Sequence, residues 1–270
     1  VTGVTAAIRL REKHPDWRIT IISGESSYHY SRPALMYIFM GHMSYKSTKP
    51  FEDDFWSKNR LDLLRDWVTG IDSERKRLRL HKSGTLDYDK LLIATGSKSN
   101  KFGWPGQDLD GVQSLYDLRD LRTLYENVKT TRRAVIVGGG LIGIELAEML
   151  HSRNIHVTFL VREESFWDNI IPGEESRMIN RVIRDQGIAL KLKTNLKEIV
   201  DDGTDRACAV ITDKDERIDC ELVGLTAGVS PNIDLVKDTK IETNRGVLVD
   251  RSFRTTMPEV YAAGDCAEIR

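Results

Sequence analysis

The sequence predicts an α/β fold, and three observations carry that expectation. Apolar, β-branched runs alternate with stretches of helical spacing, which is the pattern of βαβ units. The clearest run, Ala134–Val137, passes directly into glycines at 138, 140 and 143. A helical stretch, Leu141–Ser152, and a second strand-like run, His156–Val161, follow it. In that order each glycine has its own use. Gly138 permits a tight turn, Gly140 lets backbone approach a phosphate, and Gly143 lets the helix pack close to the strand. The helix start then turns its N–H groups and positive dipole end toward an anion. The segment reads as the pyrophosphate cradle of a dinucleotide.

Taken from the N-terminus, Ala6–Lys13 has helical spacing and stops at His14-Pro15. Trp17–Ser23 reads as a buried strand ending in Gly24-Glu25. An acidic residue at that place suits a ribose hydroxyl, although a carboxylate there also simply solvates a strand end. Arg32-Pro33 opens a helix carrying Leu35, Met36, Tyr37, Phe39 and Met40, and Phe51–Trp56 reads as a short surface helix. Strand-like pieces alternate from Leu61 to Leu80, Gly84 marks a turn, and Tyr88–Gly96 reads as a buried strand. A composition shift near Pro105–Gly111 suggests a crossover into a second domain.

That second domain holds the Gly138 unit and an amphipathic helix over Glu174–Gln186, with Gly187 as its C-terminal cap. Short strands at Ala189–Thr194, Ala207–Thr212 and Arg217–Cys220, separated by acidic turns, predict a β-meander. Leu222–Ala227 reads as a last buried strand, with Gly228 and Pro231 after it. Gly246–Asp250 and Val260–Asp265 close the chain.

Composition narrows the function. With 270 residues the chain is long enough for about two domains. Lys and Arg total 40 against 41 Asp and Glu, so no basic surplus favours nucleic acid as a partner. No apolar run approaches the ~20 residues of a membrane helix, no signal peptide is visible, and the cytoplasm is the expected location. The three cysteines lack CxxC spacing, which points to a reducing compartment. The histidines form no HExxH motif or Cys/His cluster, so no metal site is expected. The opening Val1–Leu10 looks like the end of a second glycine fingerprint without its strand, and the chain reads as an excerpt of a longer protein.

Six short motifs in order carry a resemblance: Gly3–Ala7, Tyr30-Ser31-Arg32-Pro33, Ala94-Thr95-Gly96, Gly138–Glu145, Gly228–Asn232, and Thr256 with Gly264-Asp265. Together they make the chain similar to the pyridine nucleotide-disulfide oxidoreductase superfamily of flavoproteins, across almost its whole length. Within it the ferredoxin/rubredoxin reductase-like branch is nearest, a branch that includes nitrite reductase flavin domains and apoptosis-inducing-factor-like proteins. The resemblance implies two Rossmann-like dinucleotide-binding domains in three layers, the NAD(P) domain inserted into the FAD domain. Residues 1–115 and 237–270 would bind FAD, and residues 116–236 the nicotinamide nucleotide.

It also implies roles. Gly3 would face the FAD pyrophosphate, Glu25 its adenosine ribose, and Val68 its adenine through backbone contacts. Arg32 and Pro33 would lie near the flavin, with Thr95 and Gly96 supporting the crossover beside it. Asp265, after Gly264, would accept from the ribityl chain, with a helix start following it. Gly138, Gly140, Leu141, Ile142, Gly143 and the Gly228 turn would hold the nicotinamide nucleotide. Glu145 would sit where nicotinamide meets flavin, although a carboxylate in a first helical turn also simply complements the dipole. The implied activity is hydride transfer from NAD(P)H to FAD, then electron delivery to a redox protein or small acceptor. A nucleotide-responsive sensor, as in the apoptosis-inducing-factor-like relatives, is the alternative.

Departures from the family sharpen this. Thiol-active members carry cysteine beside the flavin, whereas Ser31–Leu35 contains none, which points away from disulfide reduction. Tyr37 stands where many ferredoxin-reductase relatives have lysine, and Tyr116 where some have an FAD-contacting arginine. At the end of the nucleotide unit's second strand, Val161 takes the place of the usual acidic residue. Arg162 there favours a 2′-phosphate, and Glu163 and Glu164 oppose one.

Overall fold

The computed structural model describes residues 1–270 and divides into two compact units. The first gathers Val1–Ser31, Tyr45–Lys98 and Val229–Arg270; the second gathers Arg32–Ser44 and Ser99–Gly228. Both are α/β, and most of the second is an insertion in the chain of the first. Residues 99–115 belong to the second unit because Val112–Gln113 is a strand of its sheet. Residues 229–236 belong to the first, where Val236 is buried in the core.

The second unit is built on a five-stranded parallel sheet. Its spatial order is Ala189–Lys191, His156–Leu160, Arg133–Val137, Leu222–Leu225, Val112–Gln113. Ala134, Val135, Ile136 and Val137 are all buried, as a strand covered on both faces requires. One face meets the Leu141–His151 helix, whose Leu146 lies so close to Gly224 that a Cβ there would come within 2.6 Å of Leu146 Cδ2. The other meets a three-stranded antiparallel meander of Leu196–Asp201, Ala207–Thr212 and Arg217–Asp219. Leu196, Ile199 and Val210 bury themselves there with Val135, Val137 and Leu225. Each side chain so buried contributes about 1.5–3 kcal/mol. Helix, parallel sheet and meander make the three layers.

The Gly173–Asp185 helix ends as its sequence indicates. Gly187 has φ +81°, its N–H donates to Arg184, and the N–H of Ile188 donates to Ile183. The predicted meander needs a correction. Ala189–Lys191 is an edge strand of the parallel sheet, and the true first strand of the meander is Leu196–Asp201. Register shifts at Leu196/Glu198 and Val200/Asp201 break the alternation that would have marked it.

The first unit repeats the plan with shorter strands. Parallel pairs join Ile19–Ile22 to Leu61–Leu64, Leu91–Ile93 to Val260–Ala262, and Val247–Val249 to Ala267–Ile269. The antiparallel strands Val68–Asp72, Arg77–Leu80 and Thr85–Asp87 bury Ile71, Leu78 and Leu80 with Ile93, Val247, Val249 and Val260. The Thr2–Lys13 helix buries Ala7 against Trp56 and Leu61.

Three expectations change here. The strand within Tyr88–Gly96 is only Leu91–Ile93, and Ile19–Ile22 is half-buried along its length. The surface helix placed at Phe51–Trp56 is instead Phe55–Lys58, and Trp56 is buried. Phe51 and Phe55 stack at 4.2 Å and Trp56 meets both edge-on, so this aromatic cluster forms core against the N-terminal helix. No helix of the chain is long and apolar enough to cross a membrane.

Candidate nucleotide-binding cradles

In the second unit the chain runs from Arg133–Val137 outward through His156–Leu160 to Ala189–Lys191. It then returns to Leu222–Leu225 on the opposite side of Arg133–Val137. The order therefore reverses at that strand, and open α/β sheets bind ligands at the carboxyl end of such a switch point. The glycine turn lies there. Gly138 has φ +115°, and a Cβ on it would come within 2.7 Å of the Thr226 carbonyl on the neighbouring strand's exit. A Cβ on Gly143 would meet the Gly138 carbonyl at 2.4 Å and Thr226 Oγ1 at 2.8 Å. Only glycine lets this helix and turn approach so closely.

Gly140 differs from both. A Cβ there would find no heavy atom nearer than 4.0 Å, so the backbone at the helix start borders open space. No side chain caps the Leu141–His151 helix, and Leu141 is exposed. Unpaired N–H groups facing a Cβ-free gap form a fitting cradle for a pyrophosphate. Buried Thr226 stiffens the turn, its hydroxyl donating to the carbonyls of Val137 and Gly138 at 3.0 and 3.1 Å. Asn100 holds the next loop, donating from Nδ2 to Ala227 and from its backbone to Gly228, which has φ +83°.

Other candidate residues of this unit take distinct environments. Ile142 is half-buried in the helix's first turn. Glu145, also half-buried, has its carboxyl raised above the usual range, first by burial and then by Glu148 one turn on. Val161 is fully buried at the end of the second strand, and Arg162 beside it reaches solvent. Arg32 and Pro33 form an exposed 3₁₀ turn with Ala34. The Arg32 guanidinium lies 4.4 Å from the centre of the Tyr116 ring and donates to the Tyr116 carbonyl at 3.3 Å. The sequence marked both residues but gave no sign that they touch.

The first unit carries a second cradle. In the Thr2–Lys13 helix Gly3 lies against Ala94, where a Cβ would find Ala94 Cβ at 3.4 Å. Gly264, with φ +83°, passes the same helix start so closely that a Cβ would meet Thr2 Oγ1 at 2.7 Å. Gly96 has φ +68°; its carbonyl accepts from the Asn232 N–H at 2.8 Å, and Thr95 Oγ1 donates back to the Asn232 carbonyl at 2.7 Å. Ser97 donates to Asp265 Oδ2 at 3.3 Å. Helix start, Thr95-Gly96 and Gly264-Asp265 are thus drawn to one end of the parallel strands. Asp265 lies in a turn that leads into the strand Ala267–Ile269.

Glu25 and Val68 form a neighbouring group. Gly24 lies under the Trp67 ring, where a Cβ would meet Cδ2 at 2.2 Å, which fixes the Glu25 turn against the entrance to Val68. Buried Tyr30 donates its phenol to the Glu25 carboxylate. Sequence reasoning passed over both Tyr30 and Asn232 as partners, because contacts made by a turn are not encoded in local spacing.

Both units set glycines at the carboxyl ends of parallel strands, the architecture of Rossmann-like α/β proteins. The family model for "Pyridine nucleotide-disulphide oxidoreductase" matches residues 1–270, and the chain belongs to that family. It is 28% identical over 256 residues to a nitrite reductase [NAD(P)H] of Bacillus subtilis, covering 94% of this chain and 32% of that protein. It is 28% identical over 278 residues to a rubredoxin-NAD(+) reductase of Acinetobacter baylyi, covering 100% of this chain and 70% of that one. Among solved structures, the ferredoxin reductase for the CYP199A2 system from Rhodopseudomonas palustris superposes with a TM-score of 0.89 at 25% identity. That match covers 99% of this chain and 66% of the other. The chain therefore spans from about a third to about 70% of these relatives' length.

Proposed function

We propose that the chain forms the nucleotide-binding part of an FAD-dependent NAD(P)H oxidoreductase that passes electrons to a redox protein or small acceptor. The observation that carries this reading is the paired cradle. Glycine geometry leaves a helix start open at Gly140, and in the other unit Gly3 and Gly264 pack closely on Ala94 and Thr2. The relatives described above are named as reductases, which favours turnover over a sensor role.

In this reading the second unit binds the nicotinamide nucleotide and the first binds FAD. The backbone at Gly138, Gly140, Leu141 and Ile142 receives the nicotinamide nucleotide's pyrophosphate, and Gly143 keeps the helix close enough to present its N–H groups. Gly228, pinned by Asn100, shapes the opposite wall. Gly3 receives the flavin nucleotide's pyrophosphate, Glu25 its ribose, and the Val68 backbone its adenine. Thr95, Gly96 and Asp265 hold the ribityl end. Bound FAD supplies the isoalloxazine that takes up hydride from the nicotinamide. The protein's own part is position and exclusion of water. Glu145, whose carboxyl gains a proton more readily than an exposed glutamate, lies at the fifth position of the nicotinamide helix, past its first turn, which holds no acidic residue.

The test is reduction of the FAD-loaded full-length protein under anaerobic stopped flow. Flavin absorbance that bleaches within milliseconds to seconds on mixing with NADH or NADPH is the expected result. A protein that retains no flavin, or whose flavin bleaches only over hours, overturns the reading.

A further inference from the structure

We propose that Glu163 governs the choice between NADH and NADPH by holding the Nε edge of the Arg162 guanidinium and opposing a 2′-phosphate there. This rests on reading the second unit as the nicotinamide-nucleotide cradle. Val161 directly follows the second strand of that unit, and a Cβ on Gly139 would lie 3.0 Å from its Cγ1, so strand exit and glycine turn touch. At this place a carboxylate would hold the 2′- and 3′-hydroxyls of an adenosine ribose. Val161 is apolar and fully buried, so nothing there selects a free 2′-hydroxyl.

The next side chain is cationic. Arg162 is 76% exposed and donates from Nε to Glu163 Oε1 at 2.6 Å. Glu163 is the better anchored partner: its side chain is 25% exposed, and its carbonyl accepts from the Lys193 N–H at 2.9 Å. Lys193 in turn gives its ammonium to Glu164. Two cations and two carboxylates thus neutralise one another at the strand end. A phosphate arriving on the ribose meets a guanidinium whose Nε edge already faces the Glu163 carboxylate, so one of its two bidentate forks is taken and the nearby negative charge opposes the phosphate. An exposed ion pair holds its partners by a factor of about five at most, so Glu163 attenuates NADPH binding and does not abolish it.

Isothermal titration of the full-length protein with 2′,5′-ADP, 5′-ADP, NADPH and NADH tests this. In Glu163→Gln the affinity ratios of 2′,5′-ADP to 5′-ADP and of NADPH to NADH rise about five-fold, as release of an exposed pair allows. In Arg162→Leu both ratios fall below wild type. In the double variant Glu163→Gln gives no rise, because its effect runs through Arg162. Unchanged ratios in Glu163→Gln, or an equal rise without Arg162, overturn the proposal and leave the cradle reading intact. Failure of wild type to bind 5′-ADP and NADH at all overturns the cradle reading, and the proposal with it.

Discussion

Buried Tyr30 donates its phenol to the Glu25 carboxylate, five residues back along the same turn. A charged acceptor makes such a bond worth about 1.5–3 kcal/mol. Removing it takes one partner from the carboxylate that the proposed function assigns to the flavin nucleotide's ribose. Tyr30→Phe is expected to weaken FAD binding by about ten-fold, in line with that range. Quenching of FAD fluorescence on titration measures the change; unaltered affinity would detach Tyr30 from the site.

The two glycines of the Leu141–His151 turn should separate stability from binding. At Gly143 an added Cβ collides with the Gly138 carbonyl, and overpacking of this kind costs about 1–3 kcal/mol. At Gly140, whose φ of −94° suits any residue, a Cβ meets nothing. Gly143→Ala is therefore expected to lower the melting temperature. Gly140→Ala should leave it in place while weakening NADH binding by an order of magnitude or so, the cost of crowding a bound phosphate. Equal effects on both readouts would refute the distinction.

Asp66 gives an acid limb to stability. Its side chain is buried, which pushes its pKa up. Hydrogen bonds from Ser83, Trp67 and Lys82 outweigh that and bring it down from 3.8 to about 2. A depressed carboxylate stabilises the fold fully above its unfolded value and loses that contribution as the pH falls through the folded one. Between about pH 4 and pH 2 the wild type should lose more stability than Asp66→Asn. Thermal melts across that window check it, and parallel curves would contradict it.

Glu145 has the opposite sign. Burial and Glu148 raise its pKa, so ionisation works against folding and the penalty disappears as the pH drops through the folded value. Glu145→Gln is expected to melt no lower than wild type at neutral pH. As a residue of the proposed nicotinamide helix, Glu145 is also expected to bear on turnover, so the same variant reduces flavin more slowly in stopped flow. A loss of stability at neutral pH would contradict the assigned environment.

Much of the fold was legible where one physical signal dominated. The fully buried run Ala134–Val137 and the glycines after it announced strand, turn and helix, because parallel strands are apolar throughout and close packing excludes any Cβ. The same approach misplaced Ala189–Lys191, where three residues carry too little pattern to tell a parallel edge strand from a meander. It left Trp56 on the surface because flanking acidic residues masked an inward-facing aromatic cluster. Candidate residues were found by motif, but their partners were not. Tyr116 beneath Arg32 lies 84 positions away, and Asn232 beside Thr95 lies 137 away, distances that no local periodicity spans.

The insertion of one unit within the other has a consequence for biogenesis. Arg133–Val137 meets His156–Leu160 soon after both are made, whereas Leu91–Ile93 pairs only with Val260–Ala262. Lys90 and Glu259, which close that junction, stand 169 residues apart. At about 5–20 residues per second the ribosome needs roughly 10–30 s to cross that span. Throughout this interval the nascent chain carries an open strand edge, a template for unwanted pairing. Translation speed across residues 99–228 therefore sets how long Leu91–Ile93 waits for its partner strand.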